Sequence, residues 1–442
     1  MRKLFILLTA AMVGACSSSD DSSGGVPITS CSVDGQKQFV VDAMNQWYFW
    51  NDLLPASVDI SQFETPDDVL DYLTTFSPDD GTGQPIDRFS FITTAQADQQ
   101  FFGEGKFEGF GFSSRFVAAD DLRLTRVFVD SPAFRAGLRR GQRILELNGR
   151  TIAEIQAAEG IGAVFDMPTL EFLMREPDNN EFTVTITQAI VTIDPVPQVQ
   201  IIDAGGGRNV GYMELASFIS TANAEMDNVF AQFEAAGVND VIVDMRYNGG
   251  GLVSTANLLG DLLGGDVAEN LVFSRTIFND LKAATNNSTE FFDRLGNSIS
   301  LSRLVVIATG GTASASELVI NGMGPHVEVT IVGADTFGKP VGQVGLEFCE
   351  QILRPTSFQT LNADDFGDYF DGLPVDCAAA DDLNTPVGDA NDPNMIAALG
   401  YLETGACPVA SLPAAQFKLG AQQEVLQPDR RGPPHREFAD AY

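Results

Sequence analysis

Histidine is nearly absent from this chain, with His326 and His435 the two in 442 residues. A serine nucleophile that relied on imidazole would need one of them beside it. His326 stands in no recognisable catalytic context, and His435 falls in a Gln/Pro/Arg-rich tail. A Ser-His-Asp triad is therefore poorly supported. Basic residues are also scarce, 26 against 60 acids, for a net charge of −34. Such a surface repels phosphate backbones, which argues against nucleic acid as a partner. Cysteines number five, none beside a histidine or in a reactive-site motif, so thiol catalysis is not expected. The acidic runs at 364–371 and 381–384 do not fit the Asp-x-Asp/Asn-x-Asp/Asn-Gly calcium loop. Neither a metal nor a cofactor is expected, and no internal repeat is visible.

What is present begins with a targeting signal. Arg2 and Lys3 precede an apolar run at 4–15, too short for a bilayer span of about 20 residues. The run ends Val13-Gly-Ala-Cys16, which resembles the lipobox of bacterial lipoproteins. The resemblance implies a signal peptide at 1–15, diacylated Cys16, and a flexible Ser/Asp/Gly tether through 16–30. The protein is then expected in the bacterial cell envelope, lipid-anchored, on the outer membrane facing the periplasm. With Cys16 lipidated, Cys31, Cys349, Cys377 and Cys407 remain, an even number in an oxidising compartment. Two disulfides are expected, with three connectivities open.

Hydrophobic periodicity divides the rest. Residues 31–105 recur near 3.6-residue spacing, with Trp47-Tyr-Phe-Trp50 too aromatic for a surface, and predict a small helical domain. Over 106–195 the period turns strand-like. Gly109-Phe110-Gly111-Phe112 precedes a strand at 122–129, Ser131-Pro132 opens a helix, and Asn148-Gly149 marks a hairpin. That succession resembles a PDZ domain. The resemblance implies that the Gly109–Phe112 loop offers backbone N–H groups to a peptide's C-terminal carboxylate while the peptide adds as a strand. From 196 to 410 strand and helix alternate, predicting an α/β core with an acidic C-terminal extension. Within it, 264–297 reads as a looser Asn/Ser-rich stretch. Residues 411–442 are expected to be a disordered tail.

One stretch of the core could carry chemistry. A buried strand at 304–309 runs through Gly310-Gly311 into Thr312-Ala-Ser314-Ala-Ser-Glu317. A serine at a helix N-terminus sits where unpaired N–H groups stabilise negative charge, the placement an acyl-transfer nucleophile needs. Ser314-x-x-Glu317 is equally a capping box. With histidine excluded, the base would be a lysine. An ordinary lysine is deprotonated in only about one molecule in 2,500 at pH 7, so a lysine base must be buried. Lys339 follows Thr336-Phe-Gly after another strand, and Gln343 could orient its amine. A solvated lysine in a Gly/Pro turn remains the competing reading. An oxyanion needs two N–H donors: Ala315, just after the serine, and one from Asn248-Gly249-Gly250-Gly251, which could also be only a tight turn.

Together, Ser314-Ala-Ser-Glu317, Thr336-Phe-Gly-Lys339 with Gln343, Asp244-Met-Arg-x-Asn248-x-Gly250-Gly251 and the preceding PDZ-like stretch resemble the tail-specific (C-terminal processing) serine peptidases. The resemblance covers 31 to about 351. It implies a Clp/crotonase-like α/β peptidase core, with a PDZ domain and an N-terminal helical domain. It further implies a Ser-Lys dyad in which Ser314 is nucleophile, Lys339 general base and Gln343 the residue that orients it. Gly250 and Ala315 would supply the oxyanion N–H groups, with Gly249 in reserve. Two departures stand out. The family usually reads Lys-Gly-Thr-Val-Gln where this chain has Lys339-Pro-Val-Gly-Gln343, and its common Glu-Pro before Thr-Phe-Gly is Ala334-Asp335. Expected partners are protein or peptide substrates bound by their C-termini, and the membrane through the lipid. A catalytically silent PDZ-containing binding or scaffold lipoprotein is the alternative, but a binder has no need of the complete Ser314/Lys339/Gln343 set.

Overall fold

The apolar runs at 240–244 and 303–308 become adjacent parallel strands at the centre of a six-stranded sheet. In the computed structural model, residues 25–408, 434–439 and 442 are described. The signal peptide, Cys16 and residues 409–433 lie outside the described residues. The sheet runs Gln198–Asp203, Asn209–Glu214, Asp240–Asp244, Arg303–Ala308, Glu328–Gly333 and Cys377–Ala378. Its first pair is antiparallel and the others parallel. Alternate side chains of the central strands enter two separate cores. Val241, Val243 and Val306 meet Phe230, Leu259 and Leu318, whereas Ile242, Val305 and Ile307 meet Met395 and Ala398. Burial on both faces explains why these strands read as continuous apolar runs without alternation. The C-terminal ends of the parallel strands form the edge where α/β sheets open crevices.

Residues 112–187 form an antiparallel sheet ordered Phe112–Ala118, Asp121–Val127, Arg143–Leu147, Thr169–Arg175, Glu181–Thr187. Ser131 caps Pro132–Arg135 by accepting from Phe134 N at 3.1 Å, as the sequence predicts. Asn148 and Gly149, at φ 49° and 74°, make the expected two-residue turn. Phe110, Phe112, Phe165 and Phe172 fill this middle domain's core.

One expectation is refined and two need correction. The N-terminal helices, Val33–Trp47 and Pro66–Thr74, pack directly on the peptidase core. Their apolar faces share one cluster with Phe278, Phe348, Leu353 and Phe358 of the peptidase core. Phe39 stacks on Phe348 at 4.7 Å, Phe91–Thr94 pairs with Gln351–Arg354, and a Cys31–Cys349 disulfide closes the junction. Two helices have too little apolar surface for a core of their own. The second disulfide joins Cys377 to Cys407. Next, 264–297 contains paired strands, Val272–Phe278 and Ser288–Phe291, the former also pairing with Thr356–Leu361. The Ser288–Phe291 edge strand is mostly exposed, so its polar residues hid the alternation. Finally, the expected disordered tail is ordered near its end. Pro434–Ala439 is helical, and Tyr442 is buried against Phe112 and Phe165.

A buried ionic network fixes the middle domain to the core. Arg246 bonds Asp244 and Asp392, each at 2.6 Å. Asp381, from the acidic extension, pairs with Arg115 at 2.7 Å and Arg140 at 2.8 Å, both in the middle domain. The Tyr247 phenol, pushed up to about 12 by burial and by Asp381, stays protonated and donates to that carboxylate. Arg126 reaches Glu214 of the central sheet at 2.6 Å. These acids act as counter-charges to the guanidinium groups.

Burial opposes ionisation of Asp381, but Arg115, Arg140 and Arg246 outweigh it and hold the carboxyl below the usual range. A carboxyl so depressed stabilises the fold above its unfolded pKa of about 4, and that contribution is lost as pH falls through the folded value. Asp381→Asn is expected to cost about 3–5 kcal/mol at pH 7, since guanidinium charge is left buried without its partner. The gap to the wild type should narrow as pH drops below about 4. Denaturant unfolding at several pH values checks this, and a gap independent of pH would contradict it.

Candidate active site

Ser314 sits in a strained turn between the Arg303–Ala308 strand and the Ala315–Met323 helix, at φ 56° and ψ −115°. A non-glycine residue in that region costs on the order of 1–3 kcal/mol and persists only where its surroundings hold it. The neighbouring strand's turn does so. Thr312 Oγ1 donates to Met245 O at 2.8 Å and accepts from Thr309 N at 3.0 Å. Ala313 N donates to Asn248 O at 3.1 Å. The result is an exposed-edge serine on a buried elbow: Ser314 is half-buried while Ala315 and Ser316 are fully so.

Glu317 connects this elbow to the lysine. Its buried carboxylate accepts from Ser314 N at 2.9 Å, Lys339 N at 2.8 Å, Gly338 N at 2.7 Å and Thr336 Oγ1 at 2.5 Å. Burial pushes the carboxyl's pKa up, and those four donors oppose the rise. Capping and catalytic placement are thus one arrangement, because the capping residue also seats the lysine loop.

Lys339 is 2% exposed, so the solvated-turn reading does not hold. Its Nζ lies 5.5 Å from the Phe89 ring centroid and 4.9 Å from that of Phe438. The amine is thereby kept from bulk water, as a lysine base requires. Gln343 Nε2 donates to Phe89 O at 2.9 Å. That bond fixes the amide and, with the ring beneath Lys339, ties 86–91 into the site.

The glycine turn also differs from expectation. Gly250, at φ 102°, lies so close to the elbow that an added Cβ would come within 2.8 Å of Ser314 Cβ, Ala313 O and Ala315 N. Its N–H, expected to face an oxyanion, instead donates to Asn248 Oδ1 at 2.9 Å. The Gly249 N–H is the one presented to a carbonyl, that of Phe438 at 3.1 Å. Ala315 begins its helix, so its N–H has no acceptor within that helix. Spacing alone cannot show which of the Gly249 and Gly250 amides a neighbouring side chain consumes.

Both histidines are occupied elsewhere. His326 Nε2 lies 2.8 Å from Val272 O, and His435 stacks on Phe107 at 4.6 Å. In the Gly109–Phe112 loop the residues divide their work. Gly109 pairs in a ribbon with Ala189, and Phe110 is buried in the core. Gly111 N and Phe112 N donate to Tyr442 O at 2.6 and 3.2 Å, while Tyr442 N donates to Phe112 O at 2.7 Å. Phe89 and the second role of Glu317 were missed from sequence. The only trace of either was an apolar pair at 89 and 91 and a Ser-x-x-Glu spacing.

Known proteins resemble this chain in both sequence and fold. The profile of peptidase family S41 matches residues 209–365, and that of the peptidase S41 N-terminal domain matches 35–91. A carboxyl-terminal-processing protease of Synechocystis sp. is 30% identical over 225 residues, covering 50% of each chain. The chloroplastic carboxyl-terminal-processing peptidase 3 of Arabidopsis thaliana is 28% identical over 267 residues, covering 57% of this chain and 50% of that one. The chain spans about half the length of the curated relatives it matches. An S41 protease structure from Bacteroides fragilis superposes with a TM-score of 0.64 at 23% identity, over 83% of this chain and 97% of that one. The photosystem II D1 C-terminal processing protease gives 0.52 at 20% identity, over 79% and 94%. At such identities the structures support the α/β peptidase fold.

Glu317→Gln tests the connection between elbow and lysine loop. An amide has one acceptor oxygen and turns its NH2 toward two of the four donors. The expected loss is about 2–4 kcal/mol of stability, from donors left unsatisfied in a buried site. Chemical denaturation of the variant should show it, and a midpoint unchanged from wild type would refute this role.

Proposed function

The chain belongs to peptidase family S41, and from that premise we propose that it is a serine endopeptidase acting on proteins recognised through their C-termini. The observation that carries the reading is the Glu317 carboxylate, which bonds the backbone of both Ser314 and Lys339. In this reading Ser314 Oγ attacks the scissile carbonyl carbon as its proton passes to the Lys339 amine. The developing negative oxygen lies at the N–H groups of Gly249 and Ala315. Lys339 then protonates the leaving amine, and water releases the acyl group by the reverse sequence. Gln343 restrains the lysine from the side fixed by Phe89.

The middle domain is the PDZ-like receptor. Its Gly111 and Phe112 N–H groups receive the substrate's terminal carboxylate, and the Phe112 strand pairs with its backbone. The protein hangs from the cell envelope through diacylated Cys16, on the outer membrane facing the periplasm. The disulfides Cys31–Cys349 and Cys377–Cys407 support an oxidising compartment.

With an unfolded protein bearing an apolar C-terminus as substrate, Ser314→Ala and Lys339→Ala are each expected to lose at least about a thousandfold in kcat/KM. Wild type and variants that are equally active, or equally inert, would sink the assignment. Cys16→Ser should move the protein from the membrane fraction to the soluble one, and retention on membranes would exclude the lipid anchor.

A further inference from the structure

Two places in the proposed site are already filled by the chain itself. Residue 438 lies in the serine cleft. Its carbonyl accepts from Gly249 N at 3.1 Å, and its ring lies 4.9 Å from Lys339 Nζ. The same ring meets Phe102 at 5.1 Å, Phe101 at 6.1 Å and Phe91 at 6.3 Å, and is 3% exposed. Residue 442 lies on the middle domain. There Tyr442 makes the three backbone bonds with Gly111 and Phe112 described above, and its ring sits 4.6 Å from Phe165. Gly109 leaves room for it, since an added Cβ would come within 2.8 Å of Tyr442 C. His435, earlier in the same stretch, stacks on Phe107.

These contacts are of the kind a bound peptide makes. One anchor uses the backbone donor that faces the nucleophile's turn. The other uses the N–H pair that a bound peptide would use. Both side chains enter aromatic pockets. We propose that the stretch 434–442 is an intrinsic ligand of the site. The cleft and the middle domain together select a peptide with aromatic residues four positions apart, and this chain supplies one in cis that substrates must displace. The inference rests on the catalytic reading of Ser314 and Lys339, and it extends that reading to substrate class. Because Phe438 lies within the helix Pro434–Ala439, its backbone is not extended across the serine, which favours occupancy over cleavage.

The test is made in full-length Ser314→Ala protein, so that binding is read apart from turnover. A fluorescent peptide of sequence 434–442 is titrated by anisotropy into this protein and into the same protein carrying Phe438→Ala and Tyr442→Ala. A self-occupied site raises the apparent Kd by the inverse of its free fraction. The doubly substituted protein is therefore expected to bind the peptide at least tenfold more tightly. Peptides carrying Phe438→Ala or Tyr442→Ala should each bind it at least tenfold more weakly than the parent peptide. Equal affinity for both proteins, or binding to neither, would overturn the proposal. A second measurement needs no tail substitution. Hydrogen exchange of Ser314→Ala protein should find the Gly111, Phe112 and Gly249 amides protected, and free exchange at all three would also overturn it. Should wild type prove inert on every protein substrate while the competition holds, the peptidase assignment falls and the intrinsic ligand stands.

Discussion

A single carboxylate, that of Glu317, holds the proposed catalytic geometry together. Burying an ionisable acid costs several kcal/mol unless its oxygens are satisfied, and here two backbone amides of one loop, one hydroxyl and one amide of the elbow satisfy them. The consequence is mechanical as well as energetic. Ser314 and Lys339 lie on different elements, one after the Arg303–Ala308 strand and one after Glu328–Gly333. Side chains on separate loops drift unless something common restrains both. Because Glu317 bonds the backbones of both residues, it sets the spacing of the two loops.

The strand-turn at 244–251 is restrained by a different force. Asp244 and Arg246 sit at its base in the ionic network, and Asn248 ties it to the elbow through Ala313 N and Ser316 Oγ. Buried ion pairs add little net stability compared with apolar packing, but they resist rearrangement because breaking one leaves a charge stranded. This network has members in the middle domain, the central sheet and the acidic extension. The extension that lies outside the family resemblance is therefore not an appendage. Through Asp381 and Asp392 it determines where the glycine turn and the middle domain sit.

How much of this was legible beforehand follows the range of each interaction. The central strands, the Ser131-Pro132 cap and the Asn148-Gly149 turn were readable because each depends on a few neighbouring residues. Ser314 and Lys339 were readable as candidates because their local motifs are short. Which glycine amide faces the cleft was not, since that depends on Asn248 Oδ1 capturing the Gly250 N–H. The fusion of the N-terminal helices to Phe348 and Phe358 was equally hidden, for it joins residues some 300 positions apart. Nor could a composition rich in Gln, Pro and Arg disclose that Phe438 and Tyr442 find pockets. Two aromatic residues are buried in a stretch whose average character is that of a tail.

The spacing of those anchors carries a geometric consequence. Four residues of fully extended chain reach at most about 14 Å and a hydrogen bond at each end adds about 3 Å, so the N–H pair of Gly111 and Phe112 lies within about 20 Å of the Gly249 donor. A middle domain free to swing would not maintain such a span. The Arg115, Arg140 and Arg126 pairs to the core provide the restraint. A substrate that seats its terminal carboxylate on that N–H pair would present to Ser314 a bond only about four residues upstream. A receptor site this close to the nucleophile would place the endoproteolytic cut a few residues in from the substrate's end. The rigid attachment of the middle domain would thus set the position of the cut, with the aromatic pockets choosing which ends enter.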